Sequence, residues 1–476
     1  MRMKNWLDQR AALTPDRAAL IGEGFHITFG ELRERAADMA CRLGGLGVAQ
    51  GDRVALLCGN GPHVPLIVHA LHYLGAVLLP LNTRLTAGEL EFQLRDAACA
   101  VLLYDEPFRD TAGDIGGRLP GLTVAAAAEL AAAAPAPAKA LRTEIVLDEI
   151  HSIMYTSGTT GKPKGVLLTY GNHWSSAVGS MLNLGLTERD RWLACVPLFH
   201  ISGLSILMRS VIYGIPAVIH EKFDPRKANR AIMEGGITVM SVVSNMLSRM
   251  IDELGGEKYP DAFRCMLLGG GSVPLSLLER CRDKGIPVYQ TYGMTETASQ
   301  IATLPPEYMF AKLGSAGKPL FLSELRIVKD GREVPPRTEG EIAVRGPNVA
   351  GGYLNRPEAT AEAIRDGWLH TGDIGYVDED GFLYVLDRRS DLIISGGENV
   401  YPAEIESVLT SHPAVEEAGV TGADDPAWGQ VPVAFVKFRD GAAAGADELR
   451  AFCAERLAKY KIPTRFIAVD ALPRTA

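Results

Sequence analysis

Amphipathic stretches and short, continuous apolar runs take turns along this chain, and that alternation restricts its fold more than any single residue does. Thr28 and Glu31 form a capping box ahead of Leu32, Ala36, Met39 and Leu43 at helical spacing, so a first helix starts there. VALLC at 54–58 reads as a buried strand, 63–74 as a helix and VLLP at 77–80 as a strand; Thr86 and Glu89 repeat the capping box, and AVLLY at 100–104 closes the series. Apolar strands that alternate with helices imply parallel sheet covered by helices. The pattern returns with WLAC, a helical segment through Leu207, AVIH, a helix after Asp224 and Pro225, TVMSVV, MLLGGG and PVYQTYG. Ligands collect beyond the carboxyl ends of strands in such open sheets.

A different texture starts near Glu339, where EIAVRG, GFLYVL and DLIIS read as short strands between Gly/Asp turns. The polar run DRRSD at 387–391 looks like a boundary. Beyond it come a helix from Pro402 with Ile405, Val408 and Leu409 on one face, strands near Ala418 and Val433, a helix carrying Leu449, Phe452, Cys453 and Leu457, and a strand at Phe466. The expected fold class is therefore α/β: a large domain, 1–387, of two parallel-rich βα layers plus a short-stranded β subdomain, then a small mobile α+β domain, 388–476. The alanine- and proline-rich stretch between Leu122 and Arg142 is expected to be a surface excursion without chemistry.

At 476 residues the chain is too long for one ordinary core. A net charge of −9 argues against a nucleic-acid surface, so any anion site must be built locally. The seven cysteines are scattered and form no C-x-x-C pair, as expected of reduced core thiols. MRMKNWLDQR has no apolar core of a signal peptide, and the most apolar segment, Ile201 to Ile219, is interrupted by Arg209, Gly214 and Pro216. A soluble cytoplasmic enzyme without a membrane span is expected, its oligomeric state left open.

YTSGTTGKPKG, 155–165, offers hydroxyls from Thr156, Ser157, Thr159 and Thr160, cations from Lys162 and Lys164, and glycines such as Gly158 that let the backbone bend. That inventory suits a polyphosphate. A P-loop requires Ser or Thr after Gly-Lys and a helix next; here Pro163 follows Lys162, and VLLTY reads as a second strand. The loop instead closely resembles the phosphate-binding loop of the adenylate-forming superfamily of acyl-CoA synthetases, luciferases and peptide-synthetase adenylation domains.

That resemblance spans essentially the whole chain and implies a chemistry. Carboxylates are poor electrophiles, so such enzymes first make an acyl-AMP from ATP, releasing pyrophosphate, and then a thioester with coenzyme A. YGMTETASQ matches a second family motif, which implies that Tyr292 stacks near adenine, Thr295 donates to the α-phosphate and Glu296 helps to hold Mg²⁺, with Gly293 and Met294 between them. By the same resemblance Gly269, Gly270 and Gly271 line the adenine and acyl pocket, and His200 in PLFHISG, expected at a strand end, abuts the carboxylate being activated. WLHTGD implies that Asp373 binds the ribose hydroxyls, and DRRSD implies that Arg388 contacts the nucleotide and Ser390 sits at a hinge. SGGENVYPAEIE matches the small-domain loop that rotates in to line the pantetheine tunnel, with Gly396 and Gly397 at its turn.

SVVSNML, GSAGKPL and LDRRSDLIISGGENVYPAEIE bring the resemblance closest to members that activate an aromatic dicarboxylate. Such an acid needs apolar walls and a donor or cation for its second carboxylate: Ser241, Ser244, Ser299, Gln300 and Arg209 are the polar residues expected there, although Arg209 could equally snorkel to solvent. Rival readings are another aryl- or fatty-acyl-CoA ligase, a nucleotide or acyl-adenylate binding protein and, more remotely, a peptide-synthetase adenylation domain. The family ends with Pro-Arg, three residues, Gly or Lys, and a lysine that bridges carboxylate and α-phosphate. This sequence stops at LPRTA, 472–476, so a truncated chain is expected, with adenylation impaired and thioester formation less affected.

Overall fold

The capping boxes start helices where the pattern places them. Thr28 N donates to Glu31 Oε2 at 2.8 Å and Glu31 N to Thr28 Oγ1 at 3.2 Å, opening the helix Phe29–Gly45; Thr86 and Glu89 do the same for Ala87–Asp96. The computed structural model describes residues 1–133, 141–156, 163–270, 273, 275–387, 392–439 and 441–472.

Two sheets carry the large domain. The first has six strands, in the order Lys164–Thr169, Ile150–Thr156, Val77–Pro80, Arg53–Leu57, Val101–Tyr104 and Thr123–Ala126; only the first pair is antiparallel. The glycine loop thus joins the ends of two antiparallel neighbours, Thr156 opposite Lys164. The second sheet has a parallel centre formed by Ala18–Gly22, Ala217–Ile219, Trp192–Ala194, Val239–Val242, Cys265–Leu268 and Val288–Met294. The buried faces of both sheets and of the helices His63–Leu74 and Ile201–Tyr213 share one apolar core.

The structure adds one feature to the sequence reading and departs from it in two. The short-stranded region joins the second sheet: Ser299–Leu304 turns back antiparallel on Val288–Met294, and Ser315–Pro319 and Leu383–Asp387 continue the same fifteen-stranded sheet. The alanine-rich stretch contributes the edge strand Thr123–Ala126 and the helix Ala127–Ala132, whose Ala127 and Leu130 are buried; residues 134–140 lie outside the described residues. His200 is not at a strand end but caps the N-terminus of Ile201–Tyr213, because Trp192–Ala194 ends six residues earlier.

The small domain has its own core and a five-stranded sheet built from Ile393–Ser395, Glu398–Val400, Val415–Asp425, Gly429–Phe438 and Arg465–Ala468. Pro402–Thr410 and Ala446–Ala454 pack against it. Among the described residues no helix is long and apolar enough to cross a membrane.

Candidate active site

The parallel strands of the second sheet deliver their carboxyl ends to one cavity of about 450 Å³, closed on its far side by the small domain. Cys265–Leu268 leads into Gly269 and Gly270, Val239–Val242 into Val243, and Val288–Met294 into Thr295 and Glu296, all of them on the cavity wall. Thr156 and Lys164 line it from either side of the glycine loop. Ser157, Gly158, Thr159, Thr160 and Lys162 lie outside the described residues, as do Gly271, Arg388 and Ser390.

A tight reversal aims Thr295 and Glu296. Thr295–Thr297 is one short 3-10 turn, after which Ala298 (φ 50°) and Ser299 (φ 107°) take left-handed backbone conformations that cost non-glycine residues about 1–3 kcal/mol each. The surroundings hold them there: Ser176 Oγ donates to Ala298 O at 2.6 Å, Thr297 Oγ1 to Ser299 O at 2.8 Å, and Asn348 Nδ2 to Thr297 O at 3.0 Å. Only glycine fits at 293, where a Cβ would meet Ser299 O at 1.8 Å. Glu296 Oε1 accepts from Tyr353 Oη at 2.9 Å, and the Lys164 ammonium lies 5.5 Å from the Tyr353 ring centre.

Asp373 is buried on the wall and accepts from Tyr292 Oη at 2.6 Å. Tyr292 itself does not line the cavity; its ring packs in the cluster with Ile301, Ile342 and Leu369, which departs from the expected stacking position. The strand Trp368–Val377 is braced just before Asp373 by Glu341, which takes Gly372 N at 3.0 Å and lies 2.8 Å from His370 Nδ1.

Arg209 does not snorkel. It is 2 % exposed on a helix that faces the cavity, its guanidinium carbon lies 5.2 Å from the Trp192 ring centre, and its Nε and Nη2 have no partner among the described residues. Burial lowers the guanidinium from its ordinary pKa. Trp192 Nε1 donates to Ser241 Oγ at 3.1 Å, and both amide atoms of the buried Gln300 lack partners among the described residues. Ser241, Ser299 and Gln300 line the cavity with Arg209, whereas Ser244, the first residue of Ser244–Leu254, lies off the wall. A buried cation with two unsatisfied N–H groups and an unsatisfied amide on the same cavity wall are costly in an empty core and favourable around an anion.

The small domain enters the cavity with Gly397 and Glu398; Gly396 stays off the wall, where a Cβ would strike the Trp428 ring at 2.6 Å. Gly397 (φ 85°) and Gly270 (φ 87°) approach the Val243 side chain from opposite domains, and a Cβ at either would lie within 4 Å of its methyl groups. Glu398 Oε1 lies 3.0 Å from His200 Nε2 and 2.8 Å from Arg84 Nη1, and Oε2 accepts from Asn82 Nδ2 at 3.1 Å. Burial alone would raise this carboxyl; His200, Arg84 and Asn82 outweigh it and hold the pKa below its ordinary value.

Glu398, Asn82, Arg84, Tyr353 and Glu341 escaped the reading of the sequence as site residues. Glu398 lay within the quoted small-domain motif, but its partners come from LNTRLT, a stretch with no pattern of its own. No group of three or more His, Cys, Asp or Glu among the described residues could hold a metal ion. Glu296, the carboxylate expected to help hold Mg²⁺, lines the cavity, as suits an ion held mainly by phosphate oxygens and water.

Residues 7–354 match the family model for AMP-binding enzyme, and 404–476 that for the AMP-binding enzyme C-terminal domain. The 2-succinylbenzoate–CoA ligase of Geobacillus kaustophilus is 62 % identical over 474 residues, covering 100 % of this chain and 95 % of the relative. The o-succinylbenzoate CoA synthetase of Bacillus subtilis, as a double mutant bound with its product analogue OSB-NCoA, is 50 % identical with a TM-score of 0.95 and coverages of 100 % and 96 %. In complex with the acyl-adenylate intermediate OSB-AMP that protein gives 0.80 at the same identity and coverages, and with ATP and magnesium ion 0.79 at 49 % identity and coverages of 100 % and 97 %. Sequence is nearly constant across the three, so the higher score reflects arrangement: this chain holds its domains as in the product-analogue complex.

Proposed function

The chain belongs to the AMP-binding enzyme family, and from that premise we propose that it converts 2-succinylbenzoate, ATP and coenzyme A to 2-succinylbenzoyl-CoA, AMP and pyrophosphate, a step of menaquinone biosynthesis in the cytoplasm. A carboxylate oxygen attacks the α-phosphorus of ATP and pyrophosphate leaves; the sulfur of CoA then attacks the acyl carbon, AMP leaves and the thiol proton passes to solvent. Both steps need anions held in line and charge neutralised at phosphorus.

The residues divide accordingly. Thr156, Lys164 and the loop 157–162 hold the β- and γ-phosphates; Thr295 donates to the α-phosphate; Asp373, fixed by Tyr292, accepts from the ribose hydroxyls. Mg²⁺, when bound beside Glu296, neutralises charge on the phosphate oxygens. Gly269 and Gly270 leave room for nucleotide and acyl group, and Arg388 reaches the nucleotide from the start of the small domain, with the boundary between 387 and 388 and the pivot at Ser390. In the arrangement observed here Glu398 lies 3.0 Å from His200, so the imidazole is engaged by the small domain, and Gly397 lies on the cavity wall where the pantetheine arm is to enter.

Arg209, whose Nε and Nη2 lack partners among the described residues, carries the assignment of the acid. It waits for a second carboxylate that a fatty acid or benzoate lacks, and Gln300 and Ser241 complete its donors. Arg209→Met is expected to lower kcat/KM for 2-succinylbenzoate about 100-fold, the scale of losing a charged hydrogen bond in a buried site. The two monocarboxylate analogues, each lacking one carboxylate, separate the roles: the one without the spectator group should turn over poorly and change less than about threefold on mutation. Equal losses for diacid and monoacid would contradict the assignment.

A further inference from the structure

We infer that the segment from Asn82 to Glu89 is a two-point charge latch that selects the small-domain orientation used for thioester formation, with Glu89 and Lys461 as its principal positioning residues. The inference rests on the two-step reading above. The segment joins Val77–Pro80 to Ala87–Asp96 and meets the small domain twice, with opposite polarity. At one point Arg84 and Asn82 of the large domain grip Glu398. At the other, Lys461 Nζ of the small domain donates to Glu89 Oε1 at 2.6 Å and to Glu404 Oε1 at 2.7 Å.

The two points differ in weight. Arg84 is half exposed, so its pair is screened by water. Lys461 is 3 % exposed and the side chains of Glu89 and Glu404 are 10 % and 8 % exposed, so here the charges are desolvated together. Glu404 and Lys461 travel with the same domain; Glu89 does not. A buried ion pair contributes little net stability against a well-packed apolar contact, but losing one partner is expensive, which makes the pair a discriminator between orientations. A small domain turned away from this segment leaves Glu398 and Lys461 without both large-domain partners at once, and a misplaced one sets like charges together. Because Gly397 adjoins Glu398, the latch also sets how Gly397 sits against Val243.

Glu89 has a second duty that permits a clean test. Its Oε2 caps the helix by accepting from Thr86 N at 2.7 Å and Thr86 Oγ1 at 2.8 Å, and glutamine serves equally in a capping box. Glu89→Gln therefore removes the charge facing Lys461 while keeping the cap. We expect thioester formation from 2-succinylbenzoyl-AMP and CoA to fall about ten- to a hundredfold, with pyrophosphate release from ATP and 2-succinylbenzoate changed less than about twofold. Hydrogen exchange gives a readout independent of turnover: backbone protection of 82–89 and 457–464 should drop in the variant while the two cores keep theirs. Unchanged thioester formation with unchanged protection, or equal loss of both half-reactions, would overturn the latch. Should the unmutated chain make no thioester, the proposed function fails, and the exchange comparison still decides whether the latch exists.

Discussion

The Asp373 carboxylate accepts a short hydrogen bond from a core hydroxyl. Tyr292 Oη, 2.6 Å away in an otherwise apolar cluster, is its donor from the protein core, so Tyr292→Phe removes a charge-assisted hydrogen bond while keeping the packing. The expected outcome is a KM for ATP raised about tenfold with kcat changed less than about threefold, read from initial rates with ATP varied. A loss in kcat alone would mean that Tyr292 acts on the reacting centre instead. Positions on the cavity wall were legible in the sequence where a motif fixes them: Thr295 and Glu296 just past the end of Val288–Met294 and Asp373 within Trp368–Val377 all line the cavity. Legibility failed where a role depends on what lies behind the residue. Tyr292 faces inward because Gly293 lets the hairpin close against Ser299, and the pattern YGMTE does not reveal which way the ring turns. Arg209 read as ambiguous because an arginine in an apolar helix can face core or solvent; its burial against Trp192 decides the matter.

At the level of elements, the strand that leads into the glycine loop packs on an unusual core. His69 and His72 on His63–Leu74, His151 on Ile150–Thr156 and His173 on Tyr170–Leu184 are all buried, with His72 Nε2 2.8 Å from His151 Nε2 and His173 Nε2 3.1 Å from Ser152 Oγ. Burial holds His69 down to about 4 and His173 to about 3, and holds His72 and His151 well below the ordinary value. Above pH 6.5 these rings are neutral folded and unfolded, and contribute no pH dependence. Between pH 6.5 and about 4 the unfolded chain binds protons that the folded chain refuses, so stability falls with pH by up to about 1.4 kcal/mol per unit for each histidine. Thermal melts should show Tm dropping steeply from pH 7 to pH 5, and His69→Leu should make the slope shallower; a flat profile would show that the rings are solvated. Helices announced by a capping box and strands that are apolar throughout were readable because their signals are local. The edge strand Thr123–Ala126 was not, because alanines are poor strand formers and only the neighbouring Val101–Tyr104 makes them one.

Over the whole molecule, the division into a large α/β body and a small α+β domain follows from the change of texture along the chain, and the structure has it. The continuity of the fifteen-stranded sheet was hidden, since pairing of Leu383–Asp387 with Ser315–Pro319 joins segments nearly seventy residues apart. Also hidden was the orientation of the small domain, which depends on Glu398 meeting Arg84 and Lys461 meeting Glu89 across more than three hundred residues. The same motifs in the same order are compatible with either arrangement, and only the contacts between the domains distinguish them.

We propose a cavity set for the transfer of a succinylbenzoyl group to CoA, with the small domain turned to admit the thiol. The most direct measurement mixes the chain with 2-succinylbenzoyl-AMP, benzoyl-AMP and a fatty-acyl-AMP in competition for limiting CoA, and follows the thioesters by mass spectrometry. The expected result is that 2-succinylbenzoyl-CoA forms rapidly and in large excess over the other two, and that Arg209→Met abolishes the preference. Predominant formation of benzoyl-CoA or the fatty-acyl thioester, or no thioester from any of the three, would contradict it.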